Sequence, residues 1–143
     1  MTNAVIAARL GGVKVLRQTI TTDLQLVAAL QDGLPPAAVD ALLAGGGISA
    51  EELFRIVIPR RTLSLRRSQG QALTPDESDR LARVARLLAT ADETFGDPAK
   101  AHRWLRKPNR GLNGQVPLAL LSTEAGARVV EQALGRLAHG VFA

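Results

Sequence analysis

The 143 residues carry 18 lysines and arginines against 13 acids, a formal net charge of +5, with 46 % hydrophobic residues, 3 % aromatic residues and no cysteine. That length allows one or two small domains and excludes a large multidomain enzyme. Without cysteine there is no disulfide framework, no thiolate nucleophile and no cysteine-ligated zinc.

The positive balance favours a polyanionic partner. No apolar run approaches a membrane span, and the N-terminus lacks the basic-then-apolar order of a signal peptide, so a cytoplasmic location is expected. Abundant Ala, Leu, Arg and Glu with repeated 3.6-residue periodicity predicts an all-α fold, and no alternating run predicts a sheet. The core must be aliphatic, with Phe54, Phe95, Trp104 and Phe142 as its few large members.

Residues 1–22 are the least regular. Ala4 to Leu10 fits a helix, Gly11-Gly12 interrupts it, and Val13 to Leu16 resumes. Asp23 is placed to cap a helix over Leu24 to Leu30, with Leu26, Val27 and Leu30 on its apolar face. Gly33 fits a left-handed closing position. Pro35-Pro36 opens the next helix, whose stripe is Val39, Leu42 and Leu43, and Gly45-Gly46-Gly47 ends it. Ser49-Ala50-Glu51-Glu52 is a capping box, which starts a helix at about Ala50. Pro59 ends it, since proline removes a donor and disfavours helical geometry at Ile58.

A basic helix restarts at Arg60 or Arg61, anchored by Ile58, Leu63 and Leu65. Two short helices joined by a tight turn, the second basic, form the pattern of a helix-turn-helix. With Leu63 inward, Arg60, Arg61, Ser64 and Arg67 face outward, while Arg66 is placed to pair with an acid. Arginine pairs bidentately with guanine or clamps phosphate, and Thr62 and Ser64 are short donors. Arg60, Arg61, Thr62, Ser64 and Arg67 are therefore the candidate DNA contacts, within a small helix-turn-helix bundle over residues 23–70.

Ser68-Gln69-Gly70-Gln71 is a polar break, and residues 71–143 read as a second helical domain. Thr74-Pro75-Asp76-Glu77 combines a cap, a first-turn proline, first-turn acids and a reciprocal glutamate. Leu81, Val84, Leu88, Ala91 and Phe95 continue the stripe of a long helix that Gly96 ends. Asp97-Pro98 starts another, carrying Ala101, Trp104 and Leu105 and stopping at Pro108; Trp104 reads as core. Asn109 to Val116 is a loop, Pro117 to Leu121 a short helical turn. Thr123 caps a last helix with Val130, Ala133, Leu134 and Leu137 inward, after which Gly140 releases Val141-Phe142-Ala143. His102 and His139 have no ligand spacing, so no metal is expected. Serines and acids form no nucleophile–base–orienter grouping, so neither catalysis nor a cofactor is expected.

Several of these stretches together resemble one family. Trp104-Leu105 with Pro108-Asn109 and Leu112, then Pro117-Leu118 and Leu121, then Thr123-Glu124-Ala125-Gly126, then Leu134-Gly135-Arg136-Leu137 with His139-Gly140, are similar to the antitoxins of RES–Xre toxin–antitoxin modules, the Xre/MbcA/ParS-like antitoxins. Ile58 to Leu63, Pro75 to Leu81 and Phe95-Gly96-Asp97 match the same pattern. Many members have glycine where this chain has Val57. The resemblance extends from about Leu24 to Ala143.

It implies a Cro-like helix-turn-helix domain followed by a helical toxin-binding domain. It further implies a homodimer that represses its own operon by binding operator DNA and holds a RES-domain toxin inactive. The toxin, not the antitoxin, consumes NAD, and the antitoxin's C-terminal segment blocks substrate entry. Carried over, toxin contact falls on Arg128, Gln132, Arg136, His139, Gly140, Val141, Phe142 and Ala143. The alternative from the residues alone is a helix-turn-helix transcription regulator whose C-terminal half dimerises or binds a ligand.

Overall fold

Local capping chemistry sets most of the helix starts, and the computed structural model describes residues 2–140. Helices α1 (Asn3–Arg9) and α2 (Gly12–Leu16) precede α3 (Asp23–Asp32), α4 (Ala37–Ala44), α5 (Ala50–Ile56) and α6 (Arg60–Ser68). Then come the long α7 (Pro75–Phe95), α8 (Pro98–Arg106), two 3-10 helices (Arg110–Leu112 and Pro117–Ser122) and α9 (Glu124–Ala138). The described residues contain no strand, only an isolated bridge between Asn109 and Gln115. No helix among them is long and apolar enough to cross a membrane.

Both anticipated capping boxes form. Ser49 Oγ accepts the Glu52 N–H at 3.1 Å while Glu52 Oε1 accepts the Ser49 N–H at 2.8 Å. Thr74 and Glu77 exchange the same two bonds at 3.2 and 2.8 Å. Each box satisfies N–H groups that helix geometry leaves without a partner. At α3 the cap is Thr22, not Asp23: Thr22 Oγ1 accepts from Gln25 N and the Gln25 side chain reaches back. Asp23 sits instead in the first turn, where its charge suits the helix dipole.

Two further details of the bundle differ from the sequence reading. The inward side of α3 is Leu26, Ala29 and Leu30; Val27 is exposed, and so is Leu65 of α6. Ala29 fills the inner position because α3 lies close against α7, where a small side chain suffices. Gly33 has φ 93° and ψ 128°, a positive φ outside the left-handed helical well, so the chain leaves α3 extended. Leu34 there donates its N–H to the buried Ser78 Oγ at 2.8 Å and accepts the Leu73 N–H at 2.9 Å.

Helix α7 is the spine. Its contacts reach α1 and α3 on the N-terminal side and α8, α9 and the Pro117–Ser122 turn on the C-terminal side. Leu81, Val84, Leu88 and Ala91 are buried along it, joined by Ala85 and Leu87. The anticipated aliphatic core forms, and it is continuous with Ile6 and Leu10 of the N-terminal segment, which Arg9 ties to Asp92 by an ion pair. Phe54, Phe95 and Trp104 pack on the core's margin, the last two with ring centroids 5.9 Å apart. Phe142 lies outside the described residues.

Candidate functional site

The turn between α5 and α6 needs no glycine. Val57 sits at φ −106°, ψ −59°, in the right-handed region open to any residue, and Val57 and Ile58 are both buried. Arg80 of α7 donates to the Val57 carbonyl at 2.8 Å, occupying one of the acceptors that the end of α5 leaves open.

Helix α6 is then fixed from three sides. Leu63 is buried beneath it. Arg66 forks onto Glu77 at 3.1 and 3.0 Å, an acid partner of the kind the sequence anticipated for it. Burial alone would raise the Glu77 carboxyl, but the Arg66 guanidinium and the Thr74 backbone N–H outweigh it and hold the group below its ordinary value. Arg67 is bound too, by a fork onto Asp40 of α4 at 2.9 and 2.8 Å.

Besides Arg67, the exposed residues of α6 are Arg60, Arg61, Ser64, Leu65 and Ser68, spread over one side of a single helix. Arg60 lies over the Phe54 ring, 5.1 Å from its centroid, which orients the guanidinium without neutralising it. Arg61 and Ser64 are exposed, Thr62 is half-buried at the edge, and Arg67 is exposed but engaged by Asp40. Leu65, 48 % exposed, joins this face; an apolar group there is suited to a thymine methyl. The sequence treated Leu65 as an anchor because its hydrophobicity, not its register, was the visible signal.

The second candidate surface lies on α9. Thr123 Oγ1 caps it on the Gly126 N–H at 3.0 Å, and Ala127, Val130, Ala133 and Leu134 are buried. Leu137 is half-buried beside Trp104. Arg128, Gln132, Arg136 and His139 recur at helical spacing on the other side: Arg128, Gln132 and His139 are exposed, Arg136 is half-buried, and His139 Nδ1 lies 2.7 Å from the Gly135 carbonyl. Val129, 42 % exposed, shares a groove of about 380 Å³ with Leu112 and Leu120 next to this stripe. Gly140 is exposed, and Val141, Phe142 and Ala143 lie outside the described residues.

An arginine network holds α9 to α7. Arg83, 8 % exposed, reaches Asp79 at 2.6 Å, Glu124 at 3.1 Å and the Leu121 carbonyl at 3.3 Å. Arg86 reaches Glu124 at 3.3 Å and Glu131 at 3.1 Å. On the other flank, Arg106 of α8 donates to both oxygens of Glu52, at 2.9 and 2.6 Å, and to the Gly47 carbonyl at 2.9 Å. The C-terminal helices are thus fastened to the first helix of the helix-turn-helix through that helix's own capping glutamate. Among the described residues no group of three His, Cys, Asp or Glu converges as a metal site.

A displayed basic helix among short helices packed at one end of α7, continued by helices that present a polar stripe, defines a binding protein of helix-turn-helix type with an appended helical domain. Residues 25–86 match the antitoxin Xre-like helix-turn-helix domain, and residues 90–140 match the antitoxin Xre/MbcA/ParS C-terminal toxin-binding domain. The chain is 39 % identical over 119 residues to an "Antitoxin Xre" of Yersinia enterocolitica, covering 82 % of this chain and 80 % of that protein. It is 37 % identical over 121 residues to an "Antitoxin Xre" of Pseudomonas putida (85 % and 76 %). It is 24 % identical over 127 residues to a "Prs ADP-ribosylating antitoxin" of a Sphingobium species (82 % and 80 %). The chain belongs to the Xre/MbcA/ParS family of antitoxins. It is an antitoxin of a toxin–antitoxin system, with a helix-turn-helix domain and a toxin as partner.

Proposed function

We propose that this antitoxin neutralises a RES-domain, NAD-consuming toxin by lodging its C-terminal segment in the toxin's active-site mouth. As a homodimer it also binds operator DNA through α6 and represses its own synthesis. The observation that carries the first half is the α9 stripe: Arg128, Gln132, Arg136 and His139 run along one side of a helix clamped to α7 and lead directly into Gly140 and the last residues. A rigid helix delivering a terminal segment suits steric plugging, because little ordering entropy is lost on binding. The name of the Sphingobium relative couples an antitoxin to ADP-ribosylation, a transfer that consumes NAD, and so supports an NAD-using partner.

Removing residues 137–143 should therefore restore the toxin's NAD consumption in a mixture that the full chain silences. Thermal unfolding of the shortened chain should remain cooperative. Continued silencing by the shortened chain would sink the plugging assignment.

The DNA half rests on the outward face of α6. Two half-sites require two recognition helices related by a two-fold axis, hence the dimer. Arg61 is exposed and has no ion-pair partner among the described residues, so its charge is available to a phosphate or a guanine edge. Arg61→Ala should weaken operator binding about tenfold and lower the slope of log K against log salt by about 1, because one fewer counterion is released. Titrations at two salt concentrations that superimpose on those of the unaltered chain would refute it.

A further inference from the structure

We infer that the exposed face of α8, with Lys100 and Arg103 on the helix and Lys107 and Arg110 just beyond it, is a second, sequence-independent contact for nucleic-acid phosphate. This inference rests on the reading of α6 as a DNA-binding helix and extends that contact into the C-terminal domain.

The distribution of charge is the first reason. Residues 98–123 contain Lys100, Arg103, Arg106, Lys107 and Arg110 and not one Asp or Glu, leaving thirteen of the eighteen cations to face all thirteen acids elsewhere. The whole formal excess of +5 therefore resides in this one stretch. On α6, by contrast, two of the four arginines are committed to Glu77 and Asp40. Lys100, Arg103, Lys107 and Arg110 are exposed and have no ion-pair partner among the described residues. Of the arginines in this stretch, Arg106 is tied down, by Glu52.

Geometry is the second. Lys100 and Arg103 stand at i and i+3, on the side of α8 opposite the buried Ala101 and Leu105, and the exposed Lys107 follows the last turn with extended backbone. The two helical cations are about 4.5 Å apart along the axis at 1.5 Å per residue, with Lys107 and Arg110 continuing the series past the helix end. The exposed positions of α8 hold Pro98, Ala99 and cations, with no large apolar side chain. Protein–protein interface cores are depleted in charge and enriched in aromatic residues, whereas a phosphate backbone asks only for cations.

Position is the third. Arg106 docks the last turn of α8 against Gly47 and Glu52, at the start of α5. In a helix-turn-helix the helix before the recognition helix crosses the sugar-phosphate backbone. Arg55 of α5, exposed and outside any ion pair among the described residues, lines the same groove of about 480 Å³ as Arg106. Arg60 lies over Phe54, the chain neighbour of Arg55, and α8 is docked through Arg106 on this same helix α5.

The test uses the full chain with K100Q, R103Q and K107Q combined, and a second variant, K100R/R103K/K107R, that keeps the charge. Two duplexes of equal length serve as probes, one from the DNA immediately upstream of the coding frame and one unrelated. Neutralisation should weaken binding to both duplexes by the same factor, about tenfold or more at 0.1 M salt, and reduce the salt slope by about 2 to 3. The preference for the upstream duplex should persist, the charge-keeping variant should bind as the unaltered chain does, and toxin silencing should be untouched. Unchanged affinity and slope in the neutralised variant, with Arg61→Ala still impaired, would overturn the α8 contact while leaving α6 its role. Loss of toxin silencing with DNA binding intact would likewise overturn it and assign the face to the protein partner. Absence of salt-dependent DNA binding by the unaltered chain would remove the reading of α6 and this extension together.

Discussion

Gly126→Ala should destabilise the protein by about 2 kcal/mol, although alanine is the better helix former. A Cβ at this position would stand 1.9 Å from the Leu120 carbonyl oxygen and 2.8 Å from its carbon. Both atoms are backbone and cannot rotate away, so the Pro117–Ser122 turn and α9 must separate by about 1 Å or more. Forcing a group into a filled site costs about 1–3 kcal/mol, at the upper end when backbone has to move, against a propensity gain of about 1 kcal/mol from replacing glycine in a helix. Leu118, Leu121, Val130 and Leu134, all buried where these two elements meet the rest of the core, would lose contacts together. The melting temperature should fall by roughly 7 °C.

Gly135→Ala supplies the control within the same helix. No atom lies within 4 Å of a Cβ built there, so only the propensity gain of up to about 1 kcal/mol remains and the variant should be slightly more stable. Denaturant midpoints for both variants check the pair. Equal effects at 126 and 135 would mean that helix propensity, not the approach of the Leu120 carbonyl, governs the position. Toxin silencing should decline with Gly126→Ala and persist with Gly135→Ala, since only the first moves the base of α9.

The contrast between those two glycines shows where sequence reasoning reaches. Ser49-Glu52, Thr74-Glu77 and Thr123-Gly126 were legible because a capping hydroxyl and the N–H that donates to it lie three residues apart, within one turn of chain. The stripe of α7 was legible because a helix alone sets its period. Nothing local announces that Gly126 touches Leu120, that Arg80 closes the α5–α6 turn or that Arg106 grips Glu52, whose partners stand 23 and 54 residues away in the last two cases. Arg60, Arg61, Ser64 and Arg67 follow from register and Thr62 from its hydroxyl, neither of which reveals the fork between Arg67 and Asp40, 27 residues apart, whereas Arg66 was placed to pair with an acid. Leu65 illustrates the same limit: composition marks it apolar, and only the packing of Leu63 and Arg66 beneath α6 turns it outward.

Ser78→Ala should cost about 2 kcal/mol, more than its one lost hydroxyl suggests. Ser78 is fully buried, and its Oγ accepts the Leu34 N–H at 2.8 Å across 44 residues of chain. Alanine would leave that backbone donor without its acceptor in the interior, and an unsatisfied buried donor carries a desolvation penalty of about 1–3 kcal/mol. Water cannot readily substitute, because Ser78 is fully buried and Leu34 is 1 % exposed. The loss would loosen the α3–α4 connection, which carries Asp40 and through it the Arg67 end of α6. Ser64→Ala, on the exposed side of α6, removes the same hydroxyl from a position where water replaces it, so its stability should stay within about 0.5 kcal/mol. The proposed DNA role predicts the opposite order for binding measured well below both melting temperatures: Ser64→Ala should weaken operator affinity directly, and Ser78→Ala only to the extent that α6 shifts. Urea denaturation and DNA titration of the two variants separate a residue that builds the display of α6 from one that α6 displays. A Ser78→Ala protein as stable as the unaltered chain would show that the Leu34 N–H finds another acceptor and that this seam is not what holds the helix-turn-helix to α7.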